Sequence, residues 1–183
     1  MHFHQGSDSG SKAAAIVFRA AELIPAFWET TPVCDPRLIL TPGIELRSAP
    51  AILQYQAAQA RKFKPQDQAH TLRISEWLNY LLTEIDYSGR PLAAKVEDGA
   101  SLERLAQSQS NKWTFLLQNI EATRFLAGTA LSVADVYLLA CLFHLESPSL
   151  LKIFSKYTAN ISAELTGTSG DDAEAIVREW TRP

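Results

Sequence analysis

Cysteine is scarce in this chain, and so is net charge of either sign. Cys34 and Cys141 are the only thiols in 183 residues, which gives neither a disulfide framework nor a zinc-ligand spacing and points to a reducing compartment. Lys and Arg total 17 against 20 Asp and Glu, a net charge of −3, so this segment alone lacks the basic surface that strong nucleic-acid binding needs. The basic run Arg61-Lys62-Phe63-Lys64 reads as a solvated helix end. Long hydrophobic runs are missing too. The longest, residues 136–143, is far short of the roughly 20 residues of a membrane span. The opening Met1-His2-Phe3-His4-Gln5-Gly6 turns polar too soon for a secretory leader, so a cytoplasmic location is expected. His2-x-His4 is the only histidine spacing, and no metal site is expected from it.

What is present is a strong helix start. Ser132-x-x-Asp135 reads as a capping box in its shorter, aspartate form, and Leu131 with Val136 can close a hydrophobic staple over the same turn. Residues 136–145 are almost wholly apolar, and a helix apolar on every side belongs inside a protein. Ser132 and Asp135 are therefore assigned to capping, although an acid in an apolar stretch can also suggest chemistry.

The first 60 residues read as a compressed α/β unit. A short strand over 1–5 leads through a Gly/Ser/Asp turn to a helix over 12–23 and a second strand over 26–29. A β-hairpin follows over 37–40 and 44–47, turning at Thr41-Pro42-Gly43. Ser48 then opens a helix with Pro50 in its first turn. From Pro65 on the pattern is helical. Ile74, Trp77, Leu78, Leu81, Leu82 and Ile85 form one amphipathic stripe, and a second helix begins near Ser101. Further helices start at Ser147-Pro148 and at Asp171-Asp172. The fold class is α/β followed by all-α. The expected division is 1–63 and 64–183, within one compact chain long enough to bury a core. The sequence stops just after a capped helix, which suggests a domain cut from a longer protein, although a complete small protein would look the same.

Two stretches carry a family resemblance: Leu46-Arg47-Ser48-Ala49-Pro50-Ala51-Ile52-Leu53-Gln54-Tyr55 and Phe125-Leu126-Ala127-Gly128-Thr129-Ala130-Leu131-Ser132-Val133-Ala134-Asp135-Val136. Together they resemble the glutathione S-transferase fold, a thioredoxin-like half followed by a helical bundle. The resemblance covers nearly the whole chain. It implies a thiol-activating residue near the end of the first strand, where this sequence offers Ser7, Ser9 and Ser11 and no Tyr or Cys. It places the family's cis-proline at Pro36 and its acidic-Ser pair at Arg47-Ser48. Ser9, Ser11, Pro36 and Ser48 are thus the remnants of a glutathione site. Arg47 departs from the pattern, because it removes the partner for the ligand's ammonium group. The segment before Pro36 is also too short for the family's second helix.

A trimmed first half with an intact helical half resembles the glutathione-transferase-like domains of translation proteins: those appended to methionyl- and glutamyl-tRNA synthetases, multisynthetase-complex scaffolds, parasite tRNA-import proteins and elongation factor 1 gamma. The resemblance implies a module that is not an enzyme and takes no cofactor, glutathione being the one small ligand left open. It would assemble translation components as a homodimer or by pairing with synthetase-appended domains. Arg47, Gln54, Arg61 and Lys62 would lie on one docking face, and Lys152, Lys156 and Tyr157 on a second. Two alternatives stand beside it: a divergent glutathione transferase using Ser9 or Ser11, and the dimerisation domain of a tRNA-binding or tRNA-import protein.

Overall fold

The computed structural model describes residues 1–23, 25–30, 36–86, 99–145, 147–167 and 173–181, with the helical backbone alone over 99–108. Four strands form one mixed sheet in the order β2-β1-β3-β4. They are β1 (His2–Gln5), β2 (Phe27–Thr30), β3 (Arg37–Thr41) and β4 (Ile44–Leu46). β1 runs parallel to β2 and antiparallel to β3, and β3 pairs antiparallel with β4. Side-chain alternation divides the sheet into two faces. Phe3, Trp28, Leu38 and Leu46 share the inner face, with Phe3 and Leu38 wholly buried against Phe18 and Ile52. His2, Phe27, Ile39 and Glu45 lie on the outer one.

Helix α1 (Ser9–Ala20) begins three residues before the sequence pattern placed it, because Asp8 caps it. The Asp8 carboxylate accepts the Ser11 N–H at 2.7 Å. α1 ends at Ala21, and Glu22 takes a positive φ of 56°. α2 (Ala49–Gln59) starts at Ser48, which has the extended N-cap backbone but makes no side-chain capping bond. Gly10 is required where these helices meet, since a Cβ there would overlap the Ala49 Cβ. The two helix N-termini are consequently side by side.

The rest of the described chain is helical: α3 (Gln68–Tyr80), a wide π-helical turn (Leu81–Asp86), α4 (Gly99–Thr123), α5 (Val133–His144), α6 (Pro148–Ile153), α7 (Ser155–Thr166) and α8 (Ala173–Trp180). The sequence reads 148–154 as part of one helix. The chain instead breaks at Phe154, whose backbone leaves the helical region while its ring is buried against Trp113. The expected cap at Asp171-Asp172 lies outside the described residues.

α5 is the centre. Every residue from Val133 to Leu142 is buried, and α1 packs on α5 more extensively than on its own sheet. One hydrophobic core takes in Ile16 and Val17 of α1, Leu53 of α2 and Leu138 and Leu142 of α5, so apolar packing crosses residue 63 without interruption. At about 1.5–3 kcal/mol for each large apolar side chain removed from water, that shared core is the main force joining the two parts. Among the described residues no helix is long and apolar enough to cross a membrane.

The start of α5 is fixed by Asp135, which is completely buried. One carboxylate oxygen accepts the Ser132 N–H at 2.8 Å and the Ser132 hydroxyl at 2.6 Å. The other accepts the Leu126 N–H at 2.8 Å and the Tyr157 hydroxyl at 2.7 Å. Burial pushes the Asp135 pKa up, against the pull of its hydrogen-bond donors. The loop 125–132, the start of α5 and α7 are tied at one point.

Candidate functional site

The turn between β1 and α1 brings the three candidate serines together but gives them different environments. Ser11 is fully buried; its hydroxyl donates to Asp8 at 3.1 Å and accepts the Gly6 N–H at 3.0 Å. Ser9 is buried as well, and its hydroxyl donates to an Asp86 oxygen at 3.0 Å. The other Asp86 oxygen accepts the Tyr137 hydroxyl at 2.8 Å. Ser9 and Ser11 are therefore both buried, with their hydroxyls bonded inside the protein. Ser7 is the exposed serine of the three. The sequence offers Ser7 equally; only burial separates it from the others.

Asp86 is a residue that sequence reasoning missed. It ends the π-helical turn, is nearly buried, and links that segment to the first turn of α1 and to α5. Burial, then the neighbouring Cys141 and Asp86, push the Tyr137 hydroxyl far above its ordinary pKa. Burial likewise pushes the Cys141 thiol up, and Asp86 and Asp8 add to it, so Cys141 is not a reactive thiol. At the end of β1, Gln5 accepts the Trp28 indole N–H at 3.0 Å and donates to the Thr181 carbonyl at 2.7 Å, which ties the C-terminal end of α8 to the sheet.

Pro36 is buried immediately before β3; the peptide bond preceding it involves residue 35, outside the described residues. Ser48 is exposed at the N-terminus of α2, beside the start of α1. Arg47 is not an uncompensated charge. It donates to Glu45 at 2.8 Å, and Glu45 also accepts from Arg37. Arg37 first and Arg47 second hold the Glu45 carboxyl down at about 2.

The residues expected on docking faces are dispersed. Gln54 donates to the Ser75 hydroxyl at 3.2 Å across α2 and α3, and Arg61 is exposed. Lys62 donates to the Leu165 carbonyl at 2.5 Å, near the end of α7, with its pKa lowered by partial burial. Lys152 and Lys156 are exposed. Tyr157 is 3% exposed and bonded to Asp135, so it is a core side chain with only an edge on the cleft. That cleft, of about 540 Å³ between α4 and α6–α7, is lined by Leu117, Ile153, Lys156 and Asn160 among others. Another of about 540 Å³ between α3 and α4 is lined by Trp77, Tyr80 and Phe115. Among the described residues no group of three or more His, Cys, Asp or Glu could hold a metal ion.

No family model matches the chain, and no curated protein matches it in sequence. Its structure, however, matches solved structures along its whole length. A glutathione transferase of Methylococcus capsulatus is 26% identical, with 97% of this chain and 98% of that one aligned and a TM-score of 0.68. BphK, a bacterial glutathione transferase in a ternary complex, is 21% identical over 100% of both chains, with a TM-score of 0.71. A sphingomonad glutathione S-transferase complexed with glutathione is 22% identical over 98% of both, with a TM-score of 0.69. The fold is that of the glutathione transferases: a small thioredoxin-like sheet with its helices, then a helical bundle. The expectation of a module that is neither an enzyme nor a cofactor binder is thereby corrected, since the proteins this chain matches end to end are transferases and one of them holds glutathione. The short first half, the ground for that expectation, aligns with the transferases together with the helical bundle, so its length does not set this chain apart from them.

Proposed function

We propose that the chain is a glutathione-binding protein of the transferase class, taking the tripeptide along the N-termini of α1 and α2. The thiol sits beside the Ser7 hydroxyl, and a carboxylate sits at the Ser48 end of α2. The supporting observation is the close apposition of Gly10 and Ala49, which puts both helix starts and their exposed serines at one edge of the protein. Helix N-termini present unpaired N–H groups and partial positive charge, which suits a carboxylate. The reaction class is attack of the ligand sulfur on an electrophile, with Ser7 positioning the sulfur. Titration calorimetry with reduced glutathione should detect binding, and Ser7→Ala or Ser48→Ala should weaken it about tenfold, the value of one lost hydrogen bond to a charged group. Absence of heat at millimolar glutathione would sink the reading.

A second reading adds a role to the helical faces: assembly of translation components in the cytoplasm, as a homodimer or with synthetase-appended domains of the same fold. It is favoured by large apolar side chains left exposed on those faces: Leu72 of α3, Phe115 of α4 and Ile153 of α6. Light scattering would report the dimer. Mixing with purified glutathione-transferase-like domains of methionyl- or glutamyl-tRNA synthetase tests the pairing, and a mixture that elutes as separate species removes it.

A further inference from the structure

We propose that Gln5 is a positioning residue for the thiol subsite: it bridges the sheet and the C-terminal helix at the root of the turn that carries Ser7, so that docking of α8 and seating of a thiol beside Ser7 are coupled. The inference rests on the reading of Ser7 as the thiol subsite. It adds a second element, 176 residues further along the chain, that sets the geometry there.

Gln5 is the last residue of β1, and side-chain alternation puts it with Phe3 on the inner, apolar face of the sheet. It is 4% exposed, and a glutamine so placed costs free energy unless both ends of its amide are bonded. Both are. The oxygen accepts the Trp28 indole N–H at 3.0 Å, and that ring packs edge-on to Phe3 and against Phe18. The nitrogen donates to the Thr181 carbonyl at 2.7 Å. Thr181 directly follows α8, where the last carbonyls of a helix have no partner within it, so the Gln5 amide caps that helix from outside. α8 is only eight residues long, too short to persist as a helix alone. Ile176 and Val177 in the common core and the bond to Gln5 hold it in place.

On its other side Gln5 leads straight into the site. The Gly6 N–H donates to the Ser11 hydroxyl at 3.0 Å, and the Asp8 carboxylate accepts the Ser11 N–H at 2.7 Å. Ser7 is thus an exposed residue strung between buried Gly6 and buried Asp8. Its position is set by those anchors. A hydroxyl displaced by about 1 Å no longer makes a hydrogen bond, so a shift at Gln5 reaches any thiol that Ser7 contacts. Coupling of this kind is reciprocal: what α8 docking does for thiol binding, thiol binding does for α8.

The test follows amide hydrogen exchange residue by residue in the full chain. Gln5→Met keeps the length of the side chain and removes both bonds. The Gly6 and Ser11 amides should then exchange about fivefold faster, the value of one lost hydrogen bond. Val177→Ala trims a buried side chain of α8 and leaves the turn untouched. It should speed the same two amides when Gln5 is present and add nothing in the Gln5→Met background, because the bridge is already gone. Gln5→Asn keeps the amide but is one methylene too short to reach Trp28 and Thr181 together, so it should match Gln5→Met, and it carries the comparison if Gln5→Met does not fold. A Val177→Ala effect that persists in full without Gln5, or a rise shared equally by the Leu138 amide in the core, would show only a weaker fold and overturn the inference. In the wild type, saturating reduced glutathione should slow exchange across α8 by about fivefold, the same coupling read from the other side, and the gain should vanish in Gln5→Met. Unchanged α8 exchange in the glutathione-bound protein also overturns it. Failure of glutathione to bind overturns the ligand reading instead, while the comparison of Val177→Ala with and without Gln5 still decides whether α8 acts on the turn through this residue.

Discussion

Replacing Asp135 by alanine should cost about 3 kcal/mol of stability. The carboxylate accepts four hydrogen bonds in a site with no exposed surface, from the Leu126 and Ser132 N–H groups and the Ser132 and Tyr157 hydroxyls. Ser132 can rotate its hydroxyl to another acceptor, but the other three donors are stranded. A buried donor without a partner costs roughly 1–3 kcal/mol, giving a gross loss of about 3–9 kcal/mol. Against this, the variant no longer buries a carboxylate, itself worth several kcal/mol when ionised, so the lower end of the range is the expected net. That is a large share of the roughly 5–15 kcal/mol holding a domain of this kind together. Guanidinium unfolding should show the midpoint falling with little change in slope. Asp135→Asn should cost less, about 1–2 kcal/mol, because only the amide side meets a donor head-on. Its deficit should also depend on pH. Burial raises the folded-state pKa of Asp135, so the wild type's advantage is full below the ordinary aspartate range and shrinks as pH rises through the raised value. A loss under about 1 kcal/mol for the alanine variant would refute the claim that this carboxylate organises the loop, α5 and α7.

Two further perturbations bear on the site. Gly10→Ala gains about 1 kcal/mol of helix propensity but drives a methyl into the Ala49 side chain, and relief of that overlap should outweigh the gain. Thermal melting should show net destabilisation together with weaker glutathione binding, whereas a stabilised variant would mean that α1 and α2 do not need their close approach. Glu45 should titrate near 2 by carboxyl NMR, moving toward the ordinary glutamate value in Arg37→Ala and, less, in Arg47→Ala. Because its folded pKa is lowered, the hairpin support it gives is present above the ordinary value and fades as pH falls toward 2. At this surface position high salt should weaken it.

The local patterns proved informative where one stretch of chain meets its own near neighbours. Ser132 and Asp135 lie three residues apart, and their mutual bond needs nothing from elsewhere, so the start of α5 could be read directly. The all-apolar run after it could only be a core helix, and it is. The break at Phe154 was hidden because a ring that fits the pocket beside Trp113 fixes a backbone conformation that the apolar spacing does not encode. Tyr157 looked like a surface residue for a related reason: nothing in its neighbourhood announces the Asp135 carboxylate it reaches.

From the order of its residues alone this chain could be read as an α/β unit leading into a helical bundle around one capped helix, with its serines gathered at the start of the first helix. Periodicity and capping are short-range physics, written within a few residues. Which serine faces solvent was another matter. Ser7, Ser9 and Ser11 are equivalent in composition; Ser11 is taken by Asp8 and Gly6 close by, but Ser9 is taken by Asp86, which arrives from 77 residues further along the chain. The same holds for the charges around Arg47: Glu45 lies two residues away, and the hairpin brings Arg37 across to share its carboxylate. Burial and charge pairing are properties of the assembled core, and only tertiary structure could decide them.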